Sequence, residues 1–230
     1  MSVDADNVDP GLARSVAVDD HVRGVLEACA RGTHPDPDGR VEFVGAGTSP
    51  TDGVLAFYGR FIVAGPLDPR RAASLLPDGD LNAPHSPSFL SWCAAELEAS
   101  PGSLDVVLSA IGTGSAPPLE LVELDAGSDH PRVARAVTWR TDCRVFTTRD
   151  QAGTLILGRG LAGRLEMAFE VDEEAQGRGL GRTLASAAVA LTPPGDIVFA
   201  QVSPGNVASM RCVLATGYQP IGSEVLFLRT

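Results

Sequence analysis

The chain contains no lysine: all 18 of its basic residues are arginine. A Walker-type phosphate loop closes on Gly-Lys-Ser/Thr, a protein kinase needs a strand lysine, and a pyridoxal enzyme needs a Schiff-base lysine. All three classes are excluded together, and the bias itself reads as the codon composition of a GC-rich genome. Positive charge is scarce overall. Against 29 Asp and Glu the formal net charge is −11 and the pI near 4.7. A nucleic-acid binder gains affinity by neutralising phosphates, so no nucleic-acid partner is expected. The acidity suits a cationic substrate and equally a solubility device. Cysteine is sparse, and Cys29, Cys93, Cys143 and Cys212 offer no metal-ligand or redox spacing. His21, His34, His85 and His130 are equally scattered, so no metal is expected. No apolar run approaches the roughly 20 residues of a membrane helix. The opening MSVDADNVDPG has neither a basic nor an apolar signal region. A cytoplasmic protein with no membrane partner, monomer or homodimer, is the expectation.

What is present describes an ordinary core-forming chain of 230 residues, 44% hydrophobic and 20% charged, with room for one large domain or two small ones. Residues 1–15, with Asp4, Asp6 and Asp9 before Pro10-Gly11, read as a loose acidic leader. Val22, Val25, Leu26 and Cys29 fall at i, i+3, i+4, i+7 and predict a helix over 19–31. The segment 54–65 reads as one strand, 68–76 as a short helix with Asp68 as N-cap and Pro69 at its first position, and 87–99 as a helix capped by Ser86. A buried strand is predicted over 104–112, and GTGSAPP at 112–118 is the best linker, placing an N-terminal α/β region of unassigned role at 16–115. Beyond it come a strand at 119–124, a helix at 131–140, a meander of strands at 144–148, 154–158 and 164–171, a helix at 183–191, a strand at 196–202, a helix at 206–215 and a closing hairpin. Trp92 and Trp139 read as core anchors, and His85, between two prolines, as a loop residue or an acceptor-pocket lining.

The informative segment is VDEEAQGRGLGRTLASAAV, 171–189. A strand ends at Val171, and Gln176, Gly177, Arg178, Gly179, Leu180, Gly181 and Arg182 open a helix. Successive N–H groups free of Cβ bulk, at the positive end of a helix, make a pyrophosphate site, and Arg178 and Arg182 add charge. It is not the dinucleotide fingerprint, whose third glycine would have to stand where Arg182 does.

In Gln176, Gly179 and Gly181, the sequence resembles the GNAT acyltransferase superfamily, whose acyl-CoA motif is Gln/Arg-x-x-Gly-x-Gly/Ala. A second match follows in Asn206-x-x-Ser209 and then Gly217-Tyr218. The resemblance covers 119–230; residues 1–115 match no family. It implies a mixed α/β GNAT acyl-CoA N-acyltransferase fold, with an N-terminal α/β extension joined to a GNAT-like region at 116–230. It implies acetyl-CoA or another acyl-CoA as co-substrate and an amine acceptor, a small molecule or a protein N-terminus, reacting in a direct ternary complex. The strand ending at Val171 would splay from that at 197–202 and receive the pantetheine. Backbone N–H at Val171 and Asp172 would polarise the thioester carbonyl, Asn206 and Ser209 would lie beside the pantetheine, and Glu166 would serve as base.

The sequence departs from the family at Val213, where many members carry the tyrosine that protonates the leaving thiolate. A thiolate leaves tolerably unaided, its parent thiol having a pKa of about 8.5, and Ser209 or water stands in as the acid. The alternatives are a GNAT-like module that binds CoA or a protein partner without transfer, and a first half that is itself a degenerate GNAT-like unit with its own splayed strand pair.

Overall fold

The computed structural model describes residues 10–125 and 131–229; Asp4, Asp6, Asp9 and His130 lie outside the described residues. The first helix, α1 (Pro10–Ala30), begins within the segment expected to be leader. Proline is tolerated in a helix's first turn, where its missing N–H has no intrahelical acceptor, so Pro10 starts the helix. The remaining elements are β1 (Val41–Val44), β2 (Thr51–Phe57), β3 (Arg60–Ala64), α2 (Pro69–Ser74), α3 (Pro87–Glu96), β4 (Pro101–Ile111), β5 (Leu121–Leu124), α4 (Pro131–Trp139), β6 (Thr141–Thr148), β7 (Gly153–Arg159), β8 (Leu165–Val171), α5 (Leu180–Leu191), β9 (Ile197–Val202), α6 (Val207–Leu214) and β10 (Gln219–Leu228).

Local capping behaves as the sequence predicts. Asp68 accepts from the amides of Arg70 and Arg71 at the head of α2, and Ser86 from that of Phe89 at the head of α3. Two strand expectations need correction. The 54–65 run is a hairpin, β2 and β3, folded at Tyr58 (φ 44°) and Gly59 (φ 85°). Two successive left-handed residues make the tight hairpin turn, and Tyr58 conceals it because tyrosine seldom occupies that conformation. The closing segment is one long strand, β10, with irregularities between Pro220 and Gly222 and between Val225 and Phe227.

All ten strands form one mixed sheet in the order β1-β3-β2-β10-β4-β9-β8-β7-β6-β5. Its centre is a strand exchange. β4, from the first half of the chain, pairs with β9, and β10, from the last residues, pairs with β2. The segment after β4 is pinned, not free: Gly112 and Gly114 donate to Asp196 and Thr192, against the far end of α5. In the first half, the parallel pair β1–β3 keeps register along all four residues of β1, so among the described residues no second splayed pair exists there.

Alternation assigns the two faces. Leu108, Val198 and Ala200 pack with Leu184, Ala185 and Ala188 of the alanine-rich α5, whose small side chains let helix and sheet approach closely. Leu55, Val107 and Phe199 point the other way, against Val22 and Leu26 of α1, and α4 covers the same face further along, packing Val133 and Ala136 on Val145 and Ile156. Val54 and Val225 belong to the α3 side with Phe89 and Cys93.

His85 packs against the β2–β3 hairpin and does not line the cleft between β8 and β9. Its Nε2 meets the Val54 carbonyl at 3.2 Å, and its ring stands edge-on to Phe61. Burial holds its pKa below the usual 6.5, only partly offset by the Val54 contact. The unfolded chain therefore takes up the proton first, so stability is lost as pH falls through 6.5. The expected result is that wild type exceeds His85→Gln in urea midpoint at pH 7.5 and that the difference shrinks by pH 5.5. A constant difference would show that His85 does not titrate between the two states.

Candidate active site

β8 and β9 run parallel but pair at only two positions, Glu166 with Phe199 and Met167 with Ala200. Beyond them the strands part, and a cleft of about 330 Å³ opens, walled by β8 at Ala168 and Phe169, β9 at Gln201 and Val202, α6 at Ser209, and α4 at Arg135. On its far side β8 stays fully paired with β7, from Arg159↔Leu165 to Gly153↔Val171. The edge of β8 that faces the cleft thus has unused backbone groups, a ready ladder for an extended ligand.

Which amides face the cleft follows from one hydrogen bond. Asp172 N–H donates to Ala152 O at 2.9 Å, on the β7 side. Asp172 is therefore not an oxyanion donor, contrary to the sequence expectation. Backbone groups alternate sides along a strand, so the N–H groups of Val171 and Phe169 turn toward the cleft. Val171, named from the sequence, and Phe169, not named there, thus have their amides on the cleft side of β8. Counting back by two from Val171, the strand end that the sequence already marks, would have found Phe169.

The Gly-rich turn stands at the mouth of this split. Gln176 Nε2 donates to Val171 O at 3.1 Å, tying the turn back to the strand end. Gly177 (φ 74°) and Gly179 (φ 88°) are left-handed, with open space where a Cβ would be. Gly179 is the N-cap of α5 and supplies no side-chain acceptor, so the first amides of the helix are left for an external anion. Arg178 and Arg182 are exposed beside them, and Leu180 anchors the turn to the core. A Cβ on Gly181 would stand 3.1 Å from Phe169 and 3.3 Å from the Cys212 sulfur, so that glycine sets how closely α5 and α6 pack on β8. Along α6, Asn206 caps the helix by accepting from Ser209 N–H at 3.1 Å, and Asn206, Ser209 and the buried Val213 all line the cleft. The cleft and turn fit an extended thiol ester with a pyrophosphate at one end. Tyr218 is fully buried in the α5 core, whereas Trp139, expected as a core anchor, lines the cleft.

Glu166 is placed differently from expectation. Its carboxylate is buried between two arginines, Oε1 at 2.7 Å from Arg164 Nε and Oε2 at 2.7 Å from Arg140 Nε. Arg164 is itself buried and grips Glu224 on β10 through Nη1 at 2.7 Å and Nη2 at 2.5 Å. Arg140 also donates to Gln201 Oε1 at 3.1 Å. Burial alone would raise the Glu166 pKa, but Arg140 and Arg164 outweigh it and hold the group below the ordinary carboxylate range. A Cβ at Gly160 would strike this carboxyl, so the chain clears space for it. A carboxylate so paired is a poor proton acceptor, and Glu166 lines the cleft as part of this ion network.

The carboxylate that sequence reasoning missed is Asp105 of β4. It lines the cleft, half-buried, and Ser103 Oγ donates to its Oδ1 at 2.9 Å. Burial raises its pKa, an effect that the Ser103 bond and the charge of Arg135 only partly offset.

No protein-family profile and no curated protein matches the chain. Solved structures do resemble it. A GCN5-related N-acetyltransferase from Kribbella flavida shares 16% identity over 61% of this chain and 63% of its own, with a TM-score of 0.38. A GNAT-family acetyltransferase from Colwellia psychrerythraea shares 10% over 63% of each chain, with a TM-score of 0.39. A tandem GNAT protein from the clavulanic acid biosynthesis pathway shares 16% over 66% of this chain and 60% of its own, with a TM-score of 0.38. The chain thus spans about three fifths of the length of the solved structures it resembles.

Proposed function

We propose that the chain is a GNAT-type N-acyltransferase that moves an acetyl or other acyl group from acyl-CoA to an amine. The observation that carries this reading is the opening of β8 from β9 after two paired residues, with the left-handed glycine turn 177–179 at its mouth. Acyl-CoA supplies the activated thioester. The amides of Val171 and Phe169 face the place where carbonyl charge develops, and donors fixed in advance are the most effective stabilisers of such charge. The first amides of α5, with Arg178 and Arg182, hold the pyrophosphate. Asn206 fixes the start of α6, and Ser209 offers its hydroxyl to the departing sulfur. Residues 116–230 provide this machinery, and the N-terminal region contributes β4.

The test is calorimetric titration with acetyl-CoA, CoA and NADH. Acetyl-CoA and CoA are expected to bind and NADH not. Ligand at about 100 times its dissociation constant adds roughly 2.7 kcal/mol of stability, so a melting shift should accompany binding. Absence of binding by both thiol compounds would overturn the reading. A second reading, a CoA-binding module without transfer, is favoured by the sequestered Glu166 and by Val213 in the acid's position. Binding with no acetyl transfer to any amine would select it.

A further inference from the structure

On the face of the sheet covered by α1 and α4, the cleft carries opposite charges on facing walls. The register puts Glu224 directly across from Asp105, and Val107 across from Gln201. Asp105, Glu224 and Gln201 therefore project to one side, the side on which Arg164 reaches Glu224 and Arg140 reaches Gln201. Val106 pairs with Val202, the last residue of β9, so Asp105 lies one step past the paired segment, where the split is open. Four of the charges there satisfy one another. Glu166 and Glu224 are sealed by Arg140 and Arg164. Asp105 on the β4 wall and Arg135 and Arg132 on the α4 wall also line the space. Arg132 interacts with Glu170 of β8, and Arg135 is the more exposed of the two.

We infer that the acceptor is an amine that also carries a carboxylate, an amino-acid-like zwitterion whose ammonium sits at Asp105 and whose carboxylate sits at Arg135. The inference rests on the acyltransferase reading above. It makes the N-terminal region part of the active site, because β4 delivers the group that receives the amine. In the reaction Asp105 takes one proton from the ammonium and passes it to solvent. The freed nitrogen lone pair forms the N–C bond to the thioester carbonyl, and the C–S bond breaks with its electron pair on sulfur. The second nitrogen proton goes to that thiolate, so CoA leaves as the thiol and one proton is released overall.

The groups that face Asp105 are consistent with this role. Glu224 of β10 is a like charge directly opposite, Arg135 of α4 an opposite one, and Ser103 precedes it on its own strand; the Arg140–Glu166 pair adds no net charge. The raised Asp105 pKa brings it closer to that of an amine and favours proton transfer.

The experiment offers acetyl-CoA-saturated protein the twenty common amino acids, their carboxamides and putrescine. Thiol release is followed, and melting temperature is recorded in parallel with CoA and each amine. At least one free acid is expected to exceed its carboxamide by about tenfold or more in kcat/KM, the worth of one charged contact of about 1.4 kcal/mol. Arg135→Ala should bring that ratio near one and remove the extra melting shift that the acid gives. Asp105→Asn should lower kcat/KM by about 100-fold or more and flatten the rising limb of its pH profile. In both variants acetyl-CoA affinity should stay at the wild-type value. Equal use of acids and carboxamides, preference for putrescine, or acetyl-CoA binding with no acid acetylated would each overturn the inference while leaving the CoA site standing. Loss of acetyl-CoA binding by the wild type would overturn the acyltransferase reading itself.

Discussion

Gly179→Glu is expected to weaken acetyl-CoA binding by at least about 100-fold, a loss of roughly 2.7 kcal/mol. Two effects combine. Gly179 sits at φ 88°, where an L side chain costs roughly 1–2 kcal/mol, so the turn resists holding its shape. Its missing Cβ also leaves the approach to the first α5 amides clear, and a carboxylate there would meet the pyrophosphate with like charge. Gly179→Asn separates the two, since asparagine tolerates left-handed backbone and adds no charge. That variant should keep binding within about tenfold of wild type, judged by the same 1.4 kcal/mol scale. Calorimetry at matched protein stability decides the matter. Unchanged affinity in Gly179→Glu would remove the turn from the binding site.

The turn was legible because its constraint is local. A strand end, two left-handed glycines and a helix start occupy the ten consecutive residues 171–180, and the caps at Asp68, Ser86 and Asn206 are equally self-contained. Legibility fails where partners are distant. Glu166 looks like a free carboxylate on an alternating strand. What seals it is Arg164 two residues away, Arg140 across the β6–β8 meander, and, through Arg164, Glu224 at the other end of the chain. Asp105 sits in a segment that reads as an ordinary buried strand. Only the insertion of β4 between β10 and β9 brings it to the cleft. Periodicity specifies which face of β4 is apolar but not which strands lie beside it.

That insertion also bears on the identity of the N-terminal region. A separable extension would keep its strands to itself, whereas here each half lends its last strand to the other, β4 to β9 and β10 to β2. The cleft floor then depends on three elements meeting correctly: β8 from the meander, β10 from the C-terminus and α4 above them. The buried ions Glu166, Arg164, Arg140 and Glu224 are the cross-tie among them. Such networks add little net stability compared with apolar packing, and their best-attested use is to specify register. We assign this one the task of fixing β10 against β8 at the split.

Arg164→Leu follows from that assignment and should destabilise the fold by about 3–5 kcal/mol at pH 7, because it leaves two buried carboxylates with one counter-ion removed. The pH dependence has a definite sign. In the variant Glu224 loses the arginine that partly offsets its burial, while Glu166 and Asp105 already repel it. Its folded pKa then lies far above the unfolded value of about 4.3, and that of Glu166 rises too. The folded state takes up protons first, so the deficit should shrink as pH falls from 7 toward 5. Replacing Arg164 and Glu224 together by leucine should recover part of the loss, since Glu166 retains Arg140. Urea unfolding at pH 7 and 5 reads all of this. A deficit below about 1 kcal/mol, the scale of a surface pair, or one that grows on acidification, would mean that the buried ions do not fix β10 against β8.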